Sequence, residues 1–443
     1  MQSTNRRQFL KTAAVTATAA SVLPFSKSSY AQSANDKVVV GVAGIRSRGK
    51  SLAQKFAVLD NVEVKTVIDV DSRYLDDAVK AVQEKQAKEP KACIDFRKAL
   101  DDKDLDALVI ATPDHWHAPM AIQALQAGKH VYVEKPHAHN PREGEWLVQA
   151  WRKSGKQVQV GTQRRSMNKV DKMIGAIRDG IIGDVYMAKC FYCRKRLPIG
   201  FGNEVAVPDY LNWDLWQGPA PRVPYRDNVH PYNWHWFWHW GTGEALNNGT
   251  HMLDIARWAL DVQYPIRVSS FGGRWHYRNV DDWECPDTQE IMIEYDDGVL
   301  VTWGGRSTNQ FDATYRHTDV LFFGTKGILD YDGNSDYKIF DLDNNLVYNT
   351  REQEGKVDAG DTVDPGLNDR HAENFVQSIR GLETLNAPAD EVHKSVLLGL
   401  LGNISLRVGR TLDINKRNGH ILNDQEAMSL WQRLYEPGWK PEV

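Results

Sequence analysis

The sequence predicts a two-domain α/β protein, in which a doubly wound parallel sheet is followed by a strand-rich second domain. From residue 37 to about residue 155, short β-branched runs alternate with helix-like segments, which is typical of a parallel sheet with helices on both faces. Further on, strand-like runs are separated by Gly and Asp-Gly turns, as at Asp297 and Gly298. With 443 residues, 42% of them apolar, the chain exceeds what one core usually organises. We place the domains at residues 37–156 and 157–443.

Residues 1–31 have the pattern of an export signal. Arg6 and Arg7 precede a mildly apolar stretch, and residues 29–31, Ser-Tyr-Ala, offer small side chains for cleavage. A disordered tail after two chance arginines is the alternative. The apolar stretch is too short and too rich in Ala and Thr to span a membrane, and no other segment approaches about 20 apolar residues. We therefore expect twin-arginine export of the folded protein and a periplasmic mature chain without a membrane anchor.

The first predicted strand and the turn after it have the features of a dinucleotide site. Residues 37–43 are β-branched, residues 44–49 form a glycine-bearing turn, and residues 51–59 are helix-like. Such a turn aims helix N–H groups at a pyrophosphate, and small residues let backbone and ligand approach closely. Arg46 stands where the usual pattern has glycine, so it either crowds the phosphates or contacts them. The candidate cofactor residues here are Gly44, Arg46, Arg48 and Gly49.

The second predicted strand, residues 62–68, ends at Asp69, which lies 25 residues after Gly44. A carboxylate at this point can accept both hydroxyls of an adenosine ribose. It would repel a 2′-phosphate, so NAD is favoured over NADP, although Arg73 nearby weakens that preference. A strand-end or helix-capping aspartate is the alternative.

The third predicted strand, residues 105–111, ends in the run Thr-Pro-Asp-His-Trp-His at residues 112–117. Side chains at the carboxyl end of a parallel strand face the ligand crevice. The two histidines line the nicotinamide side of that crevice or cap the next helix, and metal ligation is disfavoured because no carboxylate cluster lies nearby. The tryptophan packs beneath a flat ring or closes the turn. The candidate cofactor residues are Thr112, Asp114, His115, Trp116 and His117.

The fourth predicted strand ends on a lone ammonium group. The apolar residues 131–133 are followed by Glu134, Lys135 and Pro136. A cation at this strand end, followed by the fixed φ of proline, faces the crevice and can act on a bound cofactor and substrate. A surface lysine at the start of a loop is the alternative.

Composition argues against several other functions. Lys and Arg number 54 against 58 Asp and Glu, a net charge of −4, and no basic run is interleaved with aromatic residues, so we expect no nucleic-acid partner. Four cysteines in so long a chain are not a disulfide framework. Cys190 and Cys193 have metal-knuckle spacing, but residues three apart on a strand point to opposite faces, which favours ordinary thiols over zinc ligands.

Residues 232–258 are unusually rich in aromatic side chains and histidine. Aromatic faces pack on the C–H faces of sugars, and neighbouring polar groups can bind hydroxyls, which makes His235 and Trp236 candidate substrate contacts. A buried aromatic core or a subunit interface is the alternative. A divalent metal site is a further alternative, but its ligand spacing matches no compact motif, and we predict no metal. Its ligands would be His235, His239, Glu244 and His251.

These motifs, followed in order by Val-Gly-Thr-Gln-Arg-Arg at residues 160–165, resemble the glucose–fructose oxidoreductase, inositol dehydrogenase and MocA (Gfo/Idh/MocA) family from about residue 37 to the end. The resemblance implies a Rossmann domain, then an α/β domain with a large, open, mostly antiparallel sheet that covers the nicotinamide and commonly forms an oligomer interface. It also implies that Lys135 takes part in proton transfer at a substrate hydroxyl and that Glu134 lies against the cofactor. Gln163 joins the cofactor candidates and Arg164 the substrate candidates.

The resemblance also bears on His251. Apolar residues at core spacing in residues 250–260 predict a helix, with His251 in its first turn near the cleft. The family carries an acid four residues earlier, where this chain has Asn247. Without a carboxylate to hold an imidazolium, the basicity of His251 falls, and a helix-capping or packing histidine is the alternative. We predict Lys135 and His251 as catalytic residues and Asn247 as a substrate contact.

The resulting hypothesis is an NAD-dependent enzyme that acts on a hydroxyl of a sugar or polyol. Lys135, helped by His251 or a water, accepts the hydroxyl proton while hydride passes to the nicotinamide. Because the periplasm offers no free NAD pool, we expect a tightly held cofactor and a closed redox cycle. The resemblance implies in addition a homo-oligomer formed through the second sheet. One alternative is glycosidic cleavage through transient oxidation and elimination, against which the intact Glu-Lys-Pro argues. A non-catalytic sugar-binding protein is the other.

Overall fold

The computed structural model describes residues 37–309, 318–353 and 367–443. The predicted export signal, residues 1–31, lies outside the described residues. The described chain forms one six-stranded and one nine-stranded sheet with flanking helices. Within it, no helix is both long and apolar enough to cross a bilayer.

The first sheet alternates strands and helices along the chain. Its strands are β1 (Val38–Ala43), β2 (Val62–Ile68), β3 (Lys91–Cys93), β4 (Ala107–Ile110), β5 (His130–Val133) and β6 (Val158–Val160). The intervening helices are α1 (Arg48–Ala57), α2 (Leu75–Gln83), α3 (Phe96–Leu100), α4 (Asp114–Gln126) and α5 (Pro141–Ser154). The strand order is β3-β2-β1-β4-β5-β6 and every pairing is parallel, which confirms the predicted doubly wound sheet. The order reverses between β1 and β4, so a ligand crevice opens at their carboxyl ends.

Two glycines let α1 approach this crevice closely. Gly44 has φ +80°, and a Cβ there would lie 2.6 Å from the backbone of Ala111 at the end of β4. A Cβ on Gly49 would lie 2.0 Å from the carbonyl oxygen of Gly44. Both contacts are far inside van der Waals distance, so this turn requires glycine at both positions.

The second half of the chain supplies the larger sheet and the helices around it. Its strands are β7 (Val185–Cys193), β8 (Arg267–Gly273), β9 (Thr288–Glu294), β10 (Leu300–Arg306), β11 (Thr318–Gly324), β12 (Ile328–Tyr331), β13 (Tyr337–Phe340), β14 (Leu346–Asn349) and β15 (Leu412–Asp413). Its helices are α6 (Asn168–Arg178), α7 (Trp213–Gln217), α8 (Glu244–Asn247), α9 (Gly249–Leu260), α10 (Thr350–Gln353), α11 (Leu367–Ile379), α12 (Ala389–Val408) and α13 (Gln425–Ser429). Short 3-10 helices occupy Ser72–Tyr74, Gln163–Ser166 and Asn233–Trp236.

The larger sheet is mixed but mostly antiparallel, as predicted. Its order is β14-β13-β12-β11-β7-β10-β9-β8-β15, in which β7 and β10 pair in parallel and the other neighbours run antiparallel. The predicted hairpin joins β9 to β10, with Leu300 opposite Glu294 and Gly298 at φ +81°. Helices α9 and α12 pack on one face and bury Trp303 completely. The other face leaves Tyr186, Phe271 and Met292 exposed.

The two domains divide differently from the predicted boundary after residue 156. β6 lies beyond that boundary, yet it pairs with β5 and completes the parallel sheet. Helix α11 returns to the first domain, where the ring of Phe375 packs edge-on against Phe56 at 6.2 Å and against Tyr132 at 5.9 Å. The local sequence pattern of α11 holds no information about which sheet the helix would cover.

The four cysteines are free thiols, two of which lie in one strand. No disulfide joins Cys93, Cys190, Cys193 or Cys285. Cys190 and Cys193 both lie in β7, where Cys190 is fully buried and Cys193 accepts a hydrogen bond from Arg306 Nη2 at 3.1 Å. Burial raises the pKa of the Cys190 thiol, so this residue stays protonated within the core.

Candidate active site

A cavity of about 540 Å³ lies at the carboxyl ends of β1, β4 and β5, where the second domain meets the first. The first domain contributes the glycine turn, Asp69 and Lys135, and the second contributes Asn247 and His251. This volume lies within the range of small-molecule and cofactor sites. The cavity therefore brings together residues that are far apart in the sequence.

The glycine turn forms the floor at one end. Gly44, Arg46 and Arg48 line the cavity, whereas Gly49 lies behind them and serves the packing of α1. Arg46 is exposed at the mouth, with its guanidinium carbon 6.0 Å from the centre of the Tyr232 ring. Arg46, which stands where the usual pattern has glycine, thus extends away from the turn and does not fill the space inside it.

The carboxylate of Asp69 is fixed beside this turn. Its Oδ2 accepts a hydrogen bond from the Ile45 backbone N–H at 2.9 Å, and its Oδ1 accepts one from the Asp71 N–H at 3.0 Å. Burial raises the pKa of Asp69 to about 6. Arg73 does not line the cavity, since it donates to Asp71 at 2.6 Å and lies 3.5 Å over the ring of Tyr210. That arginine is therefore engaged elsewhere, which removes the feature that weakened the preference for NAD.

The segment after β4 contributes four of its five candidate residues. Thr112, Asp114, Trp116 and His117 line the cavity. His115 does not, and its buried ring has Nε2 2.9 Å from the carbonyl oxygen of Trp216. The histidine at 115 therefore has a packing position.

Asp114 and His117 tie this segment to its surroundings. Asp114 accepts a 2.6 Å hydrogen bond from Thr242 Oγ1, and burial raises the pKa of its carboxyl group. The ring of His117 lies between two loops, with Nδ1 2.6 Å from the carbonyl oxygen of Pro136 and Nε2 2.8 Å from that of Thr112. These contacts hold the ends of β4 and β5 in register.

Glu134 anchors a buried polar network under the cavity. Its Oε1 accepts hydrogen bonds from Arg48 Nε at 2.8 Å and from Gln163 Nε2 at 3.0 Å. A Cβ on Gly161 would lie 2.7 Å from the Glu134 carboxyl group, so the glycine makes room for it. The glycine turn, β5 and the segment after β6 are thereby linked through one carboxylate.

Lys135 extends into the cavity. Its Nζ donates to the backbone oxygen of Asn247 at 2.5 Å and lies 3.4 Å from the side-chain Oδ1 of the same residue. Burial lowers the pKa of Lys135, although Glu134 and Asp114 oppose the shift. An amine with a lowered pKa, held by neutral oxygens inside a cleft, is suited to accept a proton.

His251 faces the same space from the first turn of α9. Its Nδ1 is buried and has no hydrogen-bond partner among the described residues. Burial lowers the pKa of His251 well below its usual range, and the nearby cations Arg164 and Lys135 add to the shift. The ring is therefore neutral at physiological pH and has one nitrogen free for a ligand. Asn247 lies just before it, as the last residue of α8.

The substrate candidates divide into those that line the cavity and one that does not. Arg164, His235 and Asn247 line it. Trp236 does not: it is buried and stacks on Trp283 at 3.9 Å, within a separate aromatic cluster. The structure therefore corrects the placement of Trp236 near substrate, because its side chain points into that cluster.

The aromatic wall is formed instead by Tyr232 and Trp234, which the sequence analysis did not single out. His235 stacks on Trp234 at 3.6 Å and lies 4.6 Å from the ring of Tyr232. Burial lowers the pKa of His235 to about 3. Residues three apart share one side of a 3-10 turn, and this spacing would have grouped Tyr232 with His235 and separated them from Trp236.

The alternative metal ligands do not converge. Glu244 accepts hydrogen bonds from Arg196 at 2.5 Å and Asn248 at 2.5 Å. His239 lies away from this cavity, with Nε2 2.8 Å from the carbonyl oxygen of Pro221. In the part of the chain that the structure describes, no three His, Cys, Asp or Glu side chains are placed to hold a metal ion.

Comparisons with known proteins agree with this architecture. The chain is 29% identical over 211 residues to a glycosyl hydrolase family 109 protein of Shewanella pealeana, covering 43% of this chain and 46% of that protein. It is 27% identical over 216 residues to one of Shewanella baltica, covering 44% and 47%. The matched region thus spans about half the length of these curated relatives.

Two solved structures share the fold. Levoglucosan dehydrogenase in complex with NADH and levoglucosan has a TM-score of 0.64 at 18% identity, covering 85% of this chain and 99% of that chain. The WlbA dehydrogenase from Bordetella pertussis, in complex with NADH and UDP-GlcNAcA, has a TM-score of 0.62 at 19% identity, covering 86% and 99%.

Two family profiles match this chain in succession. Residues 37–162 match the one described as an oxidoreductase family with an NAD-binding Rossmann fold. Residues 200–441 match the one described as the C-terminal alpha/beta domain of an oxidoreductase family. Both carry the Gfo/Idh/MocA name, and together they cover the strands of both described sheets except β7. The chain therefore belongs to the Gfo/Idh/MocA oxidoreductase family and has its NAD-binding Rossmann domain.

Proposed function

We propose that this protein is an NAD-dependent enzyme that acts on a hydroxyl group of a sugar or polyol. The observation that carries the proposal is the position of Lys135, whose amine lies in the cavity between the end of β5 and Asn247. A neutral histidine and an aromatic wall face the same space. A binding protein has no need of a lysine with a lowered pKa at this point.

The cavity fits a dinucleotide along its length. Gly44 leaves room for a pyrophosphate beside the start of α1, and Asp69 offers a carboxylate to the ribose hydroxyls. At the other end, Thr112 Oγ1 and His251 Nδ1 are buried without partners among the described residues, as expected of groups that meet a ligand. When bound, NAD supplies the acceptor for hydride.

Asp69 makes the affinity for NAD dependent on pH. The carboxylate is ionised above a pKa of about 6 and can then accept both ribose hydroxyls, whereas the protonated form loses that ability. We expect the dissociation constant for NAD to rise by up to about tenfold per pH unit below this pKa, since one proton is linked to binding. Titration calorimetry from pH 5 to pH 8 measures this, with Asp69→Asn as the variant that should bind weakly at every pH. Equal pH dependence in both proteins would contradict the role of Asp69.

In the proposed reaction, the neutral amine of Lys135 takes the proton from a substrate hydroxyl while hydride leaves the carbon that bears it. Both oxygens of Asn247 orient the amine without adding a charge. The unpartnered nitrogen of His251 orients the same hydroxyl or a water beside it.

The amide of Asn247 sets the pH range of this reaction. A carboxylate at the same position would stabilise the ammonium form of Lys135 and raise its pKa. We expect Asn247→Asp to shift the acidic limb of the kcat–pH profile to higher pH by about one unit, because the reactive form of Lys135 is the neutral amine. Asn247→Ala keeps the backbone oxygen and serves as the control, with little expected shift. An unchanged limb in Asn247→Asp would remove Lys135 as the titrating base.

The wall opposite Lys135 supports a carbohydrate substrate. The ring of Tyr232 is 39% exposed and Trp234 lies next to it, which offers faces on which sugar C–H groups pack. Arg164, Asn248 and His235 supply donors and acceptors for hydroxyls. The sugar ligands named for the two dehydrogenases of similar fold support the same substrate class.

The second domain covers the adenosine side of the cavity, which supports a tightly held cofactor. The Ser72 N–H donates to the Tyr210 carbonyl at 2.9 Å, and the Asn212 N–H donates to the Val70 carbonyl at 2.9 Å. His230 Nε2 lies 2.8 Å from Asp71 Oδ2. A dinucleotide beneath this cover leaves only after these contacts open. A cofactor that stays bound must regain its redox state in place, which is a closed cycle.

Two closed cycles are consistent with this site. In the first, oxidation of one sugar is followed by reduction of another. In the second, transient oxidation acidifies a C–H group, a glycosidic bond is cleaved by elimination, and water addition and reduction complete the cycle. The similarity to glycosyl hydrolase family 109 proteins favours the second, and the intact Glu134-Lys135-Pro136 favours the first.

One experiment separates these activities from simple binding. The purified chain is denatured to measure its NAD content, and the native protein is incubated with mono- and disaccharides and with aryl glycosides. Release of aglycone without net NADH supports glycosidic cleavage, whereas reduction of a second sugar supports the oxidoreductase. Retained NAD with no hydride exchange across the panel would overturn both and leave a binding protein.

We propose that the mature chain acts in the periplasm after twin-arginine export, on the strength of Arg6, Arg7 and the small residues 29–31. Cell fractionation tests this, with Arg6→Lys combined with Arg7→Lys as the variant. We expect the double variant to stay in the cytoplasm, and an unchanged periplasmic yield would contradict the route.

We further propose that the open face of the larger sheet forms a homo-oligomer interface. Tyr186, Phe271 and Met292 on three of its strands are 53%, 64% and 46% exposed, an apolar face on which a second copy would fit. Light scattering after gel filtration should give a multimer for the wild type and a smaller species for Phe271→Glu combined with Met292→Glu. A monomeric wild-type protein would contradict this interface.

A further inference from the structure

A second cavity, of about 430 Å³, lies behind the segment that follows β4. It is bounded by the start of α5, the aromatic turn of the second domain and the last turns of α12. Thr242 lines this cavity and donates to Asp114, which lines the first. One hydrogen-bonded pair of side chains therefore links the linings of the two cavities.

The polar lining of the second cavity is basic. Arg407, Arg433, His139 and His239 line it, and no Asp or Glu is among the described residues of the lining itself. Arg433 donates through Nε to Glu143 at 2.8 Å and through Nη2 to the His115 carbonyl oxygen at 2.6 Å. These contacts fix the guanidinium in place behind the cavity wall.

Several buried polar atoms in this lining have no hydrogen-bond partner among the described residues. Arg433 Nη1 is buried and has no hydrogen-bond partner among the described residues, and the same holds for both ring nitrogens of His139. A buried polar group without a partner destabilises the folded state. Such groups gathered around one cavity indicate a ligand that satisfies them.

Arg407 adds a cation without a direct ion-pair partner. It makes no ion pair within the described residues and lies 5.5 Å from the ring of Trp238. Burial lowers the pKa of Arg407, and the nearby Cys285 and Glu284 oppose that shift only in part. Arg410, just beyond the end of the same helix, differs: it donates to both oxygens of Asp424, at 2.8 Å and 2.7 Å.

The remaining walls are apolar. Leu400, Ile404 and Pro141 line one side and the indole of Trp238 contributes another. An inorganic anion would leave these surfaces uncovered, and a neutral sugar would leave Arg407 without an anion in direct contact. An organic acid with a C–H face and several hydroxyls satisfies both kinds of wall.

We propose that this second cavity binds a carboxylate-bearing monosaccharide of hexuronate size, with its carboxylate at Arg407 and its hydroxyls at Arg433 and His139. The volume is sufficient for one such molecule. The site is distinct from the proposed active site and does not depend on the reaction assigned there.

Titration calorimetry of the full mature chain with sodium D-glucuronate tests the proposal. We expect Arg407→Gln to weaken binding about tenfold or more, since a charge-assisted hydrogen bond is lost. Arg410→Gln is the matched control, an arginine replaced outside the cavity, and should bind like the wild type. D-glucose and inorganic phosphate should each bind at least about tenfold more weakly than glucuronate.

Two further variants keep the result interpretable. Lys135→Met should retain this binding, because the first cavity is not involved, and Arg407→Lys should retain part of it because the charge remains. If Arg407→Gln is unstable, Arg407→Lys with a crystal soak in glucuronate replaces it. The proposal is overturned if glucuronate does not bind, if its binding is lost in Lys135→Met, or if Arg407→Gln binds like Arg410→Gln. Equal affinity for glucose or phosphate would overturn it as well.

Discussion

Replacing Lys135 with methionine is expected to lower kcat by a factor of about 10² to 10⁴, the usual contribution of a general base. Methionine has a similar length but no ionisable group, so the substrate hydroxyl would lose its proton acceptor. The cofactor contacts at Gly44 and Asp69 lie elsewhere in the cavity, and we expect NAD content to stay the same. Turnover of the identified substrate and the absorbance of released NAD measure the two quantities.

Lys85→Met provides the control for this variant, because Lys85 is an exposed lysine in the first domain. It should keep the wild-type kcat. If Lys135→Met also turned over at the wild-type rate, the amine would not be the base. Loss of both NAD and turnover would instead assign Lys135 a role in cofactor binding.

The second large effect is expected from alanine at Gly49. The new Cβ would lie 2.0 Å from the carbonyl oxygen of Gly44, which forces the start of α1 away from the glycine turn. Strain of this kind costs about 1–3 kcal/mol and often more when backbone must move, so we expect a loss of at least that much unfolding free energy and of bound NAD. Urea denaturation and the NAD content of the purified protein check both.

A glycine in another helix separates this clash from the general effect of the substitution. Gly175 lies within α6, and a Cβ there meets nothing within 4 Å. Gly175→Ala should raise stability by about 0.5–1 kcal/mol, because alanine is the better helix former. Equal stability changes in the two variants would contradict a specific role for Gly49.

The sequence was most informative where local pattern and chemistry coincide. A β-branched run that ends in glycine, aspartate or lysine predicted both a strand and the group at its end, so Gly44, Asp69 and Lys135 were found together. The structure brings all three to one cavity. The order of the strands in the sheet, which the local pattern does not give, brings these three strand ends together.

Sequence reasoning was weaker wherever long-range packing decides which way a side chain points. Trp236 and Trp234 are chemically equivalent in the sequence, yet one stacks on Trp283 and the other lines the cavity. His115 and His117 differ in the same way, because the ring of His115 meets the carbonyl oxygen of Trp216 whereas that of His117 meets those of Pro136 and Thr112. Arg407 and Arg410 were not singled out, since only the folded helix shows which of them has an acidic partner.

The return of α11 to the first sheet affects how the chain acquires its structure. Phe56 and Tyr132 remain uncovered until Phe375 has been synthesised, more than two hundred residues later. A nascent chain that carries only the first sheet therefore exposes an aromatic surface, which calls for a chaperone on the ribosome or slows productive folding. For the same reason, a fragment cut after β6 should aggregate on its own.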